Sequence, residues 1–305
     1  MLAAINALID DDVTDVLIGS ASGVWVQRAS GVSRASLELS EQQARSLAVQ
    51  LIDMGGRHLD DASPCVDVRL GDGVRVHAAL APVSVSGTEI SIRLPTRKRL
   101  ALADFVTDGL LTPAHLALFQ SAIESRLPIL VSGSAGAGKT TFLGALMSSV
   151  PTAERIITIE DVAELRIDHD RRVALETRQA NSEGRGALDI AELIRQSLRM
   201  RPDRLVVGEC RGAEVVDMLR AFTTGHSGGG STIHANSLED VAVRLDSLGA
   251  LAGIGSDAMA RLATAAIDLV VHIGQADSRR HVEIGRVKVV GGVLEVIPLD
   301  MAGSP

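Results

Sequence analysis

Aromatic residues and cysteines are scarce in this chain of 305 residues, which has no tyrosine, one tryptophan, four phenylalanines and two cysteines. Its net charge of −8 also argues against a nucleic-acid surface, because such surfaces need a cationic face and stacking rings. Cys65 and Cys210 stand far apart without metal-ligand spacing, which predicts neither a disulfide framework nor a zinc site. We therefore expect proteins or small anions as ligands and no direct binding of nucleic acid.

Long apolar runs are also missing, since no stretch reaches the roughly 20 residues that cross a bilayer. The N-terminal stretch MLAAINALIDDD turns acidic and carries neither a basic segment nor a cleavage site, so it does not predict a signal peptide. We expect a cytoplasmic protein without a transmembrane segment. Any association with the inner face of the membrane would then come through partners or through the protein surface.

The chain is long enough for two domains, and its pattern changes near residue 95. Residues 1–95 predict a small α/β domain with short strands, one helix at LSEQQARSLAVQLIDMG and a hairpin around the tight turn GDG. Ser40 and Gln43 predict a capping box at the start of that helix. The segment 96–112, which includes a solvated basic run at 97–99, lacks sustained periodicity and is predicted to be a linker.

Residues 113–305 alternate helical and strand-like segments, which predicts a mostly parallel sheet covered on both faces. The predicted elements end with an amphipathic helix through SDAMARLATAAIDLVV and a hairpin with a GG turn. Ligands of such sheets bind at the carboxyl ends of the strands. The polar motifs described next follow predicted strands and are expected to lie at that edge.

The segment GSAGAGKTT joins the apolar strand LPILVS to the helical run FLGALMSSV. Its spacing fits G-x-x-x-x-G-K-[ST], in which glycines let backbone N–H groups approach phosphates, the lysine reaches the β/γ-phosphates and the hydroxyl binds Mg²⁺. We therefore predict a site for ATP and Mg²⁺. The predicted nucleotide-binding residues of this loop are Gly133, Ser134, Ala135, Gly136, Ala137, Gly138, Lys139, Thr140 and Thr141.

Carboxylates follow two other predicted strands. Glu160 and Asp161 come after RIITI, and Glu209 comes after the buried run LVVG. Placed beside the glycine loop, such carboxylates hold Mg²⁺ through water or deprotonate an attacking water. The sequence does not separate the metal holder from the base, so Glu160 and Glu209 are candidates for both roles, with Thr140 as a further Mg²⁺ ligand.

The segment TTGHSGGGSTIHAN places His226 and His234 around a run of glycines. A spacing of eight residues is not that of a compact metal site, and structural histidines are the simple alternative. The glycines favour a different hypothesis, in which a mobile loop brings polar groups to the γ-phosphate and responds to its loss.

Five segments resemble, in order and spacing, the hexameric ATPases of type II and type IV secretion and pilus assembly. The closest resemblance is to the tight-adherence (Flp) pilus ATPases, and it covers nearly the whole chain. These segments are GSAGAGKTT, TIEDVAEL, LETR, LRMRPDRLVVGECRG and TGHSGGGSTIHAN. The resemblance implies a RecA-like P-loop ATPase domain preceded by a smaller N-terminal α/β domain of PAS-like type.

The resemblance also assigns roles to residues. Residues 133–140 correspond to the Walker A loop, Glu160 and Asp161 belong to the Asp box, Gly208 and Glu209 close the Walker B motif, and His226 and His234 make up the His box. The N-terminal domain of such ATPases covers the nucleotide and lends arginines, and Arg75 and Arg93 stand in the matching strands. By the same resemblance we expect a homohexamer that acts on a polytopic platform protein of the inner membrane.

The function predicted from the sequence is thus an ATP-hydrolysing motor that couples hydrolysis in a ring to domain motion in tight-adherence pilus assembly or secretion. One alternative is a type IV secretion or conjugation ATPase, which differs in cargo and not in chemistry. From other classes, a small-molecule P-loop kinase would need only the glycine loop, and a nucleotide-gated scaffold would bind without hydrolysis.

Overall fold

A computed structural model of the protein describes residues 2–28, 30–94, 100–178, 185–276 and 279–300. The chain divides into two compact units, residues 1–98 and 99–305. Each unit has its own hydrophobic core.

The first unit is a six-stranded antiparallel sheet with a helix on one face. The helices and strands of this unit are α1 (Leu2–Asn6), β1 (Val13–Gly19), β2 (Gly23–Arg28), β3 (Gly31–Arg34), α2 (Glu41–Met54), β4 (Cys65–Arg69), β5 (Arg75–Ala79) and β6 (Glu89–Arg93). The strand order is β3-β2-β1-β6-β5-β4. The predicted capping box at Ser40 and Gln43 is confirmed, and Gly71–Gly73 forms the turn between β4 and β5 as predicted.

The second unit is a sheet with helices, and its elements alternate as predicted. These elements are α3 (Leu102–Thr107), α4 (Pro113–Glu124), β7 (Ile129–Gly133), α5 (Lys139–Ser148), β8 (Ile156–Glu160), β9 (Arg172–Glu176), α6 (Ile190–Ser197), β10 (Arg204–Val207), α7 (Glu214–Thr223), β11 (Gly230–His234), α8 (Asp240–Leu251), α9 (Ser256–Ala266), β12 (Leu269–Ala276), β13 (Arg279–Val290) and β14 (Val293–Pro298). The eight strands have the order β14-β13-β12-β7-β11-β10-β8-β9.

Six of these strands run parallel, from β12 to β9, and the β13–β14 hairpin adds an antiparallel edge. The glycine-loop strand β7 lies between β11 and β12, and every residue of β7 is buried. The mixed α/β fold class is therefore confirmed, and the carboxyl ends of β7, β8, β10 and β11 meet at one edge.

Two expectations differ from the structure. The last predicted helix, 256–271, ends at Ala266, and Leu269–Ala276 form strand β12 instead. The side chains of Leu269, Val270 and Val271 are fully buried because β12 lies inside the sheet between β7 and β13. A short apolar run has no periodicity that separates a buried strand from a buried helix.

The predicted linker 96–112 also contains packed structure. Leu102 and Phe105 of helix α3, with Leu110 and Leu111 after it, are buried in the core of the second unit. These four side chains are not those of an exposed linker. The basic run 97–99 lies outside the described residues, and the exact domain boundaries stay a prediction.

Candidate active site

The glycine-rich loop has the predicted strand-loop-helix context, with β7 before it and α5 after it. Gly138 forms the N-cap of α5 with φ 95°, a left-handed conformation that favours glycine. No side chain caps this helix end, so its first backbone N–H groups remain open toward the loop. Such a concavity of N–H groups at a helix start binds phosphate.

Lys139 is the first residue of α5 and is buried. Its Nζ donates a hydrogen bond of 2.8 Å to the backbone oxygen of Ser134 and lies 3.4 Å from Nδ1 of His234. Burial lowers the pKa of the Lys139 ammonium, whereas the nearby Glu209 carboxylate acts in the opposite direction. The Lys139 ammonium is thus held beside the loop by a hydrogen bond to the loop's own backbone.

His234 ends strand β11, directly beside Gly133 of β7 in the sheet register. Its Nε2 lies 2.7 Å from Oε1 of Glu209, in ion-pair contact but without hydrogen-bond alignment. Burial and the Lys139 ammonium both lower the pKa of His234. The other oxygen of Glu209 accepts hydrogen bonds from Arg211, 2.8 Å from Nε and 2.5 Å from Nη2. Lys139, His234, Glu209 and Arg211 therefore form one continuous set of contacts, called here the His234 cluster.

Glu160 ends strand β8 and is only 4% exposed. Its Oε1 accepts hydrogen bonds from the backbone N–H groups of Glu164 (3.0 Å) and Leu165 (2.9 Å). Its Oε2 is buried and has no hydrogen-bond partner among the described residues. Burial raises the pKa of Glu160 to about 7, against the opposing effect of the two backbone donors. An ionisable group poised near neutral pH is what general acid–base chemistry requires.

Gly208 brings the backbone before Glu209 against the Glu160 side chain. A Cβ atom on Gly208 would lie 2.6 Å from Cγ of Glu160, so a larger residue at this position would displace the carboxyl group. The Gly208 oxygen accepts a 2.8 Å hydrogen bond from the hydroxyl of Thr232 on β11. The ends of β8, β10 and β11 are thus fixed to one another beneath the two carboxylates.

The other residues predicted at this edge differ in their exposure. Asp161 is exposed, and its Oδ1 lies 3.4 Å from the hydroxyl of Thr177, which follows β9. Thr140 and Thr141 are half-buried in the first turn of α5. Ser134, Ala135 and Gly136 are exposed in the loop, whereas Gly133 and Ala137 are buried.

The structure separates His226 from this site. His226 precedes strand β11, whereas His234 ends it, so the two histidines stand at opposite edges of a parallel sheet. Gly228, two residues after His226, accepts a hydrogen bond from Arg204 at the start of β10. The two histidines therefore do not lie together within this unit, and the predicted role of His226 stays a prediction.

Arg75 and Arg93 belong to the first unit. They are paired in register on neighbouring strands β5 and β6, and Arg93 pairs on its other side with Asp15 of β1. The Arg93 side chain is 71% exposed, with Nε 4.0 Å from Oδ1 of Asp15. The predicted role of these arginines at the nucleotide stays a prediction.

Arg211 was missed by the sequence analysis. Its position two residues after Glu209 offers a signal only once Glu209 itself is placed in the site. Its guanidinium fixes one oxygen of Glu209 and leaves the other toward His234.

The residues present fit a phosphate ligand with Mg²⁺. The uncapped start of α5 and the buried Lys139 provide donors and a cation at the loop, and the unpartnered Oε2 of Glu160 provides an acceptor at the same edge of the sheet. In the described part of the chain no group of three or more histidine, cysteine or acidic side chains could hold a metal by itself. Mg²⁺ in nucleotide sites takes only one or two protein ligands beside phosphate and water, which Thr140 with one of the two glutamates could supply.

Among the described residues, none of the helices is both long and apolar enough to cross a bilayer.

A mostly parallel sheet, a glycine-rich loop between β7 and α5, and carboxylates at neighbouring strand ends define a RecA-like P-loop protein. The family profile of type II/IV secretion system proteins matches residues 2–279. The chain belongs to this family, which includes secretion and pilus ATPases.

Three similar proteins illustrate the relationship. The putative conjugal transfer protein Rv3659c of Mycobacterium tuberculosis (strain ATCC 25618 / H37Rv) is 42% identical over 94% of this chain and 84% of its own length. The conjugal transfer protein TrbB of Rhizobium radiobacter is 30% identical over 90% of this chain and 84% of its own length. The X-ray structure of the Legionella pneumophila ATPase DotB has a TM-score of 0.63 at 18% identity, over 93% of this chain and 79% of that one. The last similarity supports the fold.

Proposed function

We propose that the protein is an ATP-hydrolysing motor subunit of a type IV secretion or conjugation machine. The observation that carries the proposal is the arrangement around the loop, where the His234 cluster joins the buried Lys139 to Glu209 and a second carboxyl group, Glu160, has an unpartnered oxygen. This arrangement supplies a cation for phosphate, a carboxylate for a hydrated metal ion and a second carboxyl group of suitable basicity.

The two glutamates differ in surroundings, which supports different roles. Glu160 is buried, its pKa is raised to about 7, and one oxygen has no partner among the described residues, so it suits a general base that takes a proton from water. Glu209 is held between the His234 imidazole and the Arg211 guanidinium, so it suits a carboxylate that orients a hydrated Mg²⁺ together with Thr140. When bound, Mg²⁺ would neutralise charge on the phosphates.

Lys139 and the open N–H groups of α5 would bind the phosphates, and the other loop residues and Asp161 would line the nucleotide. Arg93 and Arg75 of the first unit are proposed to contribute cations when the two units close on the nucleotide. A cation that depends on domain position couples hydrolysis to movement. The ring is proposed to be a homohexamer at the inner face of the membrane, acting on a polytopic platform protein.

The names of the relatives bear on the cargo. Rv3659c and TrbB are both named as conjugal transfer proteins, which favours the conjugation alternative. The tight-adherence pilus function stays a prediction from the sequence resemblance.

The test is release of inorganic phosphate from Mg²⁺-ATP by the full chain, beside the Lys139→Ala variant. Phosphate release that depends on Lys139 would support an ATPase. Transfer of the phosphoryl group to a small molecule, without free phosphate, would favour the kinase alternative, and nucleotide binding without turnover would favour a scaffold.

A further inference from the structure

The β12–β13 hairpin lies beside the glycine-rich loop. Strand β12 runs parallel to β7, with Ile273 opposite Gly133, the first residue of the loop. Strand β13 then returns antiparallel, with Arg280 opposite Gln275. Residues 275 and 280 therefore extend past the end of β7, at the edge of the sheet where the loop lies.

The side chain of Arg280 reaches the loop itself. A Cβ atom on Gly138 would lie 3.3 Å from Nη1 of Arg280, so the guanidinium lies against the N-cap of α5. The Arg280 side chain is exposed, and among the described residues it makes no hydrogen bond or ion pair. An arginine without a counter-charge beside a phosphate loop is a cation available for an anionic ligand.

The order of the strands indicates which part of a nucleotide Arg280 faces. Glu209 and His234 follow β10 and β11, on one side of β7, whereas Arg280 comes from β13 on the other side. The groups proposed to act on the terminal phosphate thus lie on the β11 side of β7. The part of the nucleotide that ATP and ADP share would then lie on the other side of β7, where Arg280 is.

We infer that Arg280 is a nucleotide-binding residue that contacts the α-phosphate and ribose side of the ligand. This inference rests on the proposed nucleotide-binding function and adds a residue to it. Since ATP, ADP and the transition state would all make this contact, it contributes uniform binding and not transition-state stabilisation. Arg280 is therefore expected to affect KM and not kcat.

The experiment measures the affinity of the full chain for Mg²⁺-ADP and for a Mg²⁺-bound non-hydrolysable ATP analogue. In Arg280→Ala we expect both affinities to fall by the same factor, about tenfold, which corresponds to about 1.4 kcal/mol. In steady-state kinetics the KM for ATP should rise by a similar factor, with kcat within about twofold of wild type. Arg280→Lys should recover part of the affinity, because the charge remains but the planar fork is lost.

Arg279→Ala is the matched control. It removes the same charge from the adjacent position, and neighbouring residues of a strand point to opposite faces. We expect its affinities to stay within about twofold of wild type.

Unchanged affinity in Arg280→Ala, or an equal loss in Arg279→Ala, would overturn the inference. A loss for the ATP analogue alone would also overturn it, because Arg280 would then face the γ-phosphate. If the wild-type chain binds neither nucleotide, the proposed function fails first and this inference with it.

Discussion

Nε2 of His234 lies 2.7 Å from Oε1 of Glu209, and the other ring nitrogen of the same imidazole lies 3.4 Å from Nζ of Lys139. A single histidine thus touches both the cation of the glycine-rich loop and the carboxylate that follows β10. Its neutral form is favoured, since burial and the Lys139 charge lower its pKa. A ligand that draws Lys139 toward a phosphate would disturb the contact with His234, and through it Glu209.

Lys139→Ala should abolish phosphate release, because the ammonium is lost from the point where negative charge concentrates on the β/γ-phosphates. Lys139→Arg should not restore activity, since a planar guanidinium is larger than the space of a buried ammonium. A steady-state phosphate assay measures both variants. Turnover of Lys139→Ala within about threefold of wild type would remove the loop from the mechanism.

Glu160→Gln should bind Mg²⁺-ATP but hydrolyse it at least about a hundredfold more slowly, because the amide has the shape of the carboxyl group without its basicity. Glu209→Gln should instead raise the Mg²⁺ concentration needed for activity. Titrating Mg²⁺ in single-turnover assays separates the two effects. If Glu209→Gln traps ATP and Glu160→Gln only shifts the Mg²⁺ dependence, the two roles are reversed.

His234→Ala should lower turnover more than nucleotide affinity, because the imidazole contacts Lys139 and Glu209 without closing the loop by itself. His226→Ala is the comparison, since His226 lies before β11 at the other edge of the sheet. Turnover per folded molecule and nucleotide affinity are measured for both. Equal losses of turnover in the two variants would contradict the separation of the histidines.

Arg93→Ala should bind ATP normally but hydrolyse it tens to hundreds of times more slowly, a barrier increase on the order of 2 to 3 kcal/mol. The reason is that a γ-phosphate losing its bond needs a cation that arrives when the units close. Arg69→Ala is the control, because it removes the same charge from another strand of the same sheet. Arg69 lies on β4, in register with Arg75. A normal rate in Arg93→Ala would exclude this arginine from catalysis.

Glu154 predicts a pH dependence of stability. Its Oε2 lies 2.5 Å from Nε of the fully buried Arg204, and Arg126 approaches Oε1 to 3.1 Å. Burial acts to raise the pKa of Glu154, but Arg204 and Arg126 outweigh it and hold the pKa below its usual value. The stabilisation is therefore complete above the unfolded-state pKa of about 4.3 and is lost as the pH falls through the lower pKa of the folded state.

Urea denaturation at pH values from about 7 down to about 3 measures this dependence. Glu154→Gln should lower the free energy of unfolding at neutral pH by about 3 kcal/mol, because it leaves the buried Arg204 without its counter-charge. The variant should also show a shallower loss of stability in acid. A wild-type pH profile in Glu154→Gln would show that the ion pair contributes no net stability.

Local signals in the sequence predicted much of the fold and of the site. The capping box at Ser40, the turn Gly71–Gly73 and the loop 133–141 each depend on residues close together in sequence, and the structure has all three features. The carboxyl-edge rule also predicted that Glu160 and Glu209 lie at the same edge of the sheet as the glycine loop, and the strands that they follow, β8 and β10, end at that edge.

The rest depends on which strands become neighbours. Leu269–Val271 read as the end of a helix because nothing local marks them as the strand beside β7. Because β12 was not predicted, nothing in the sequence indicated that Arg280 approaches Gly138. The two residues are 142 positions apart (280 − 138). His226 was grouped with His234 because the sequence showed one motif, whereas a whole strand runs between them.

The position of β7 in the sheet also has a consequence during synthesis. Strand β7 ends at Gly133, whereas its two partners begin at Gly230 and Leu269, about 100 and about 140 residues after the start of β7. At roughly 5 to 20 residues per second, a ribosome would need on the order of 5 to 30 seconds to deliver both partners. For that time a strand that is fully buried in the folded protein, and the unfinished glycine-rich loop after it, would have open edges on a nascent chain, and we expect holding chaperones to recognise such a segment.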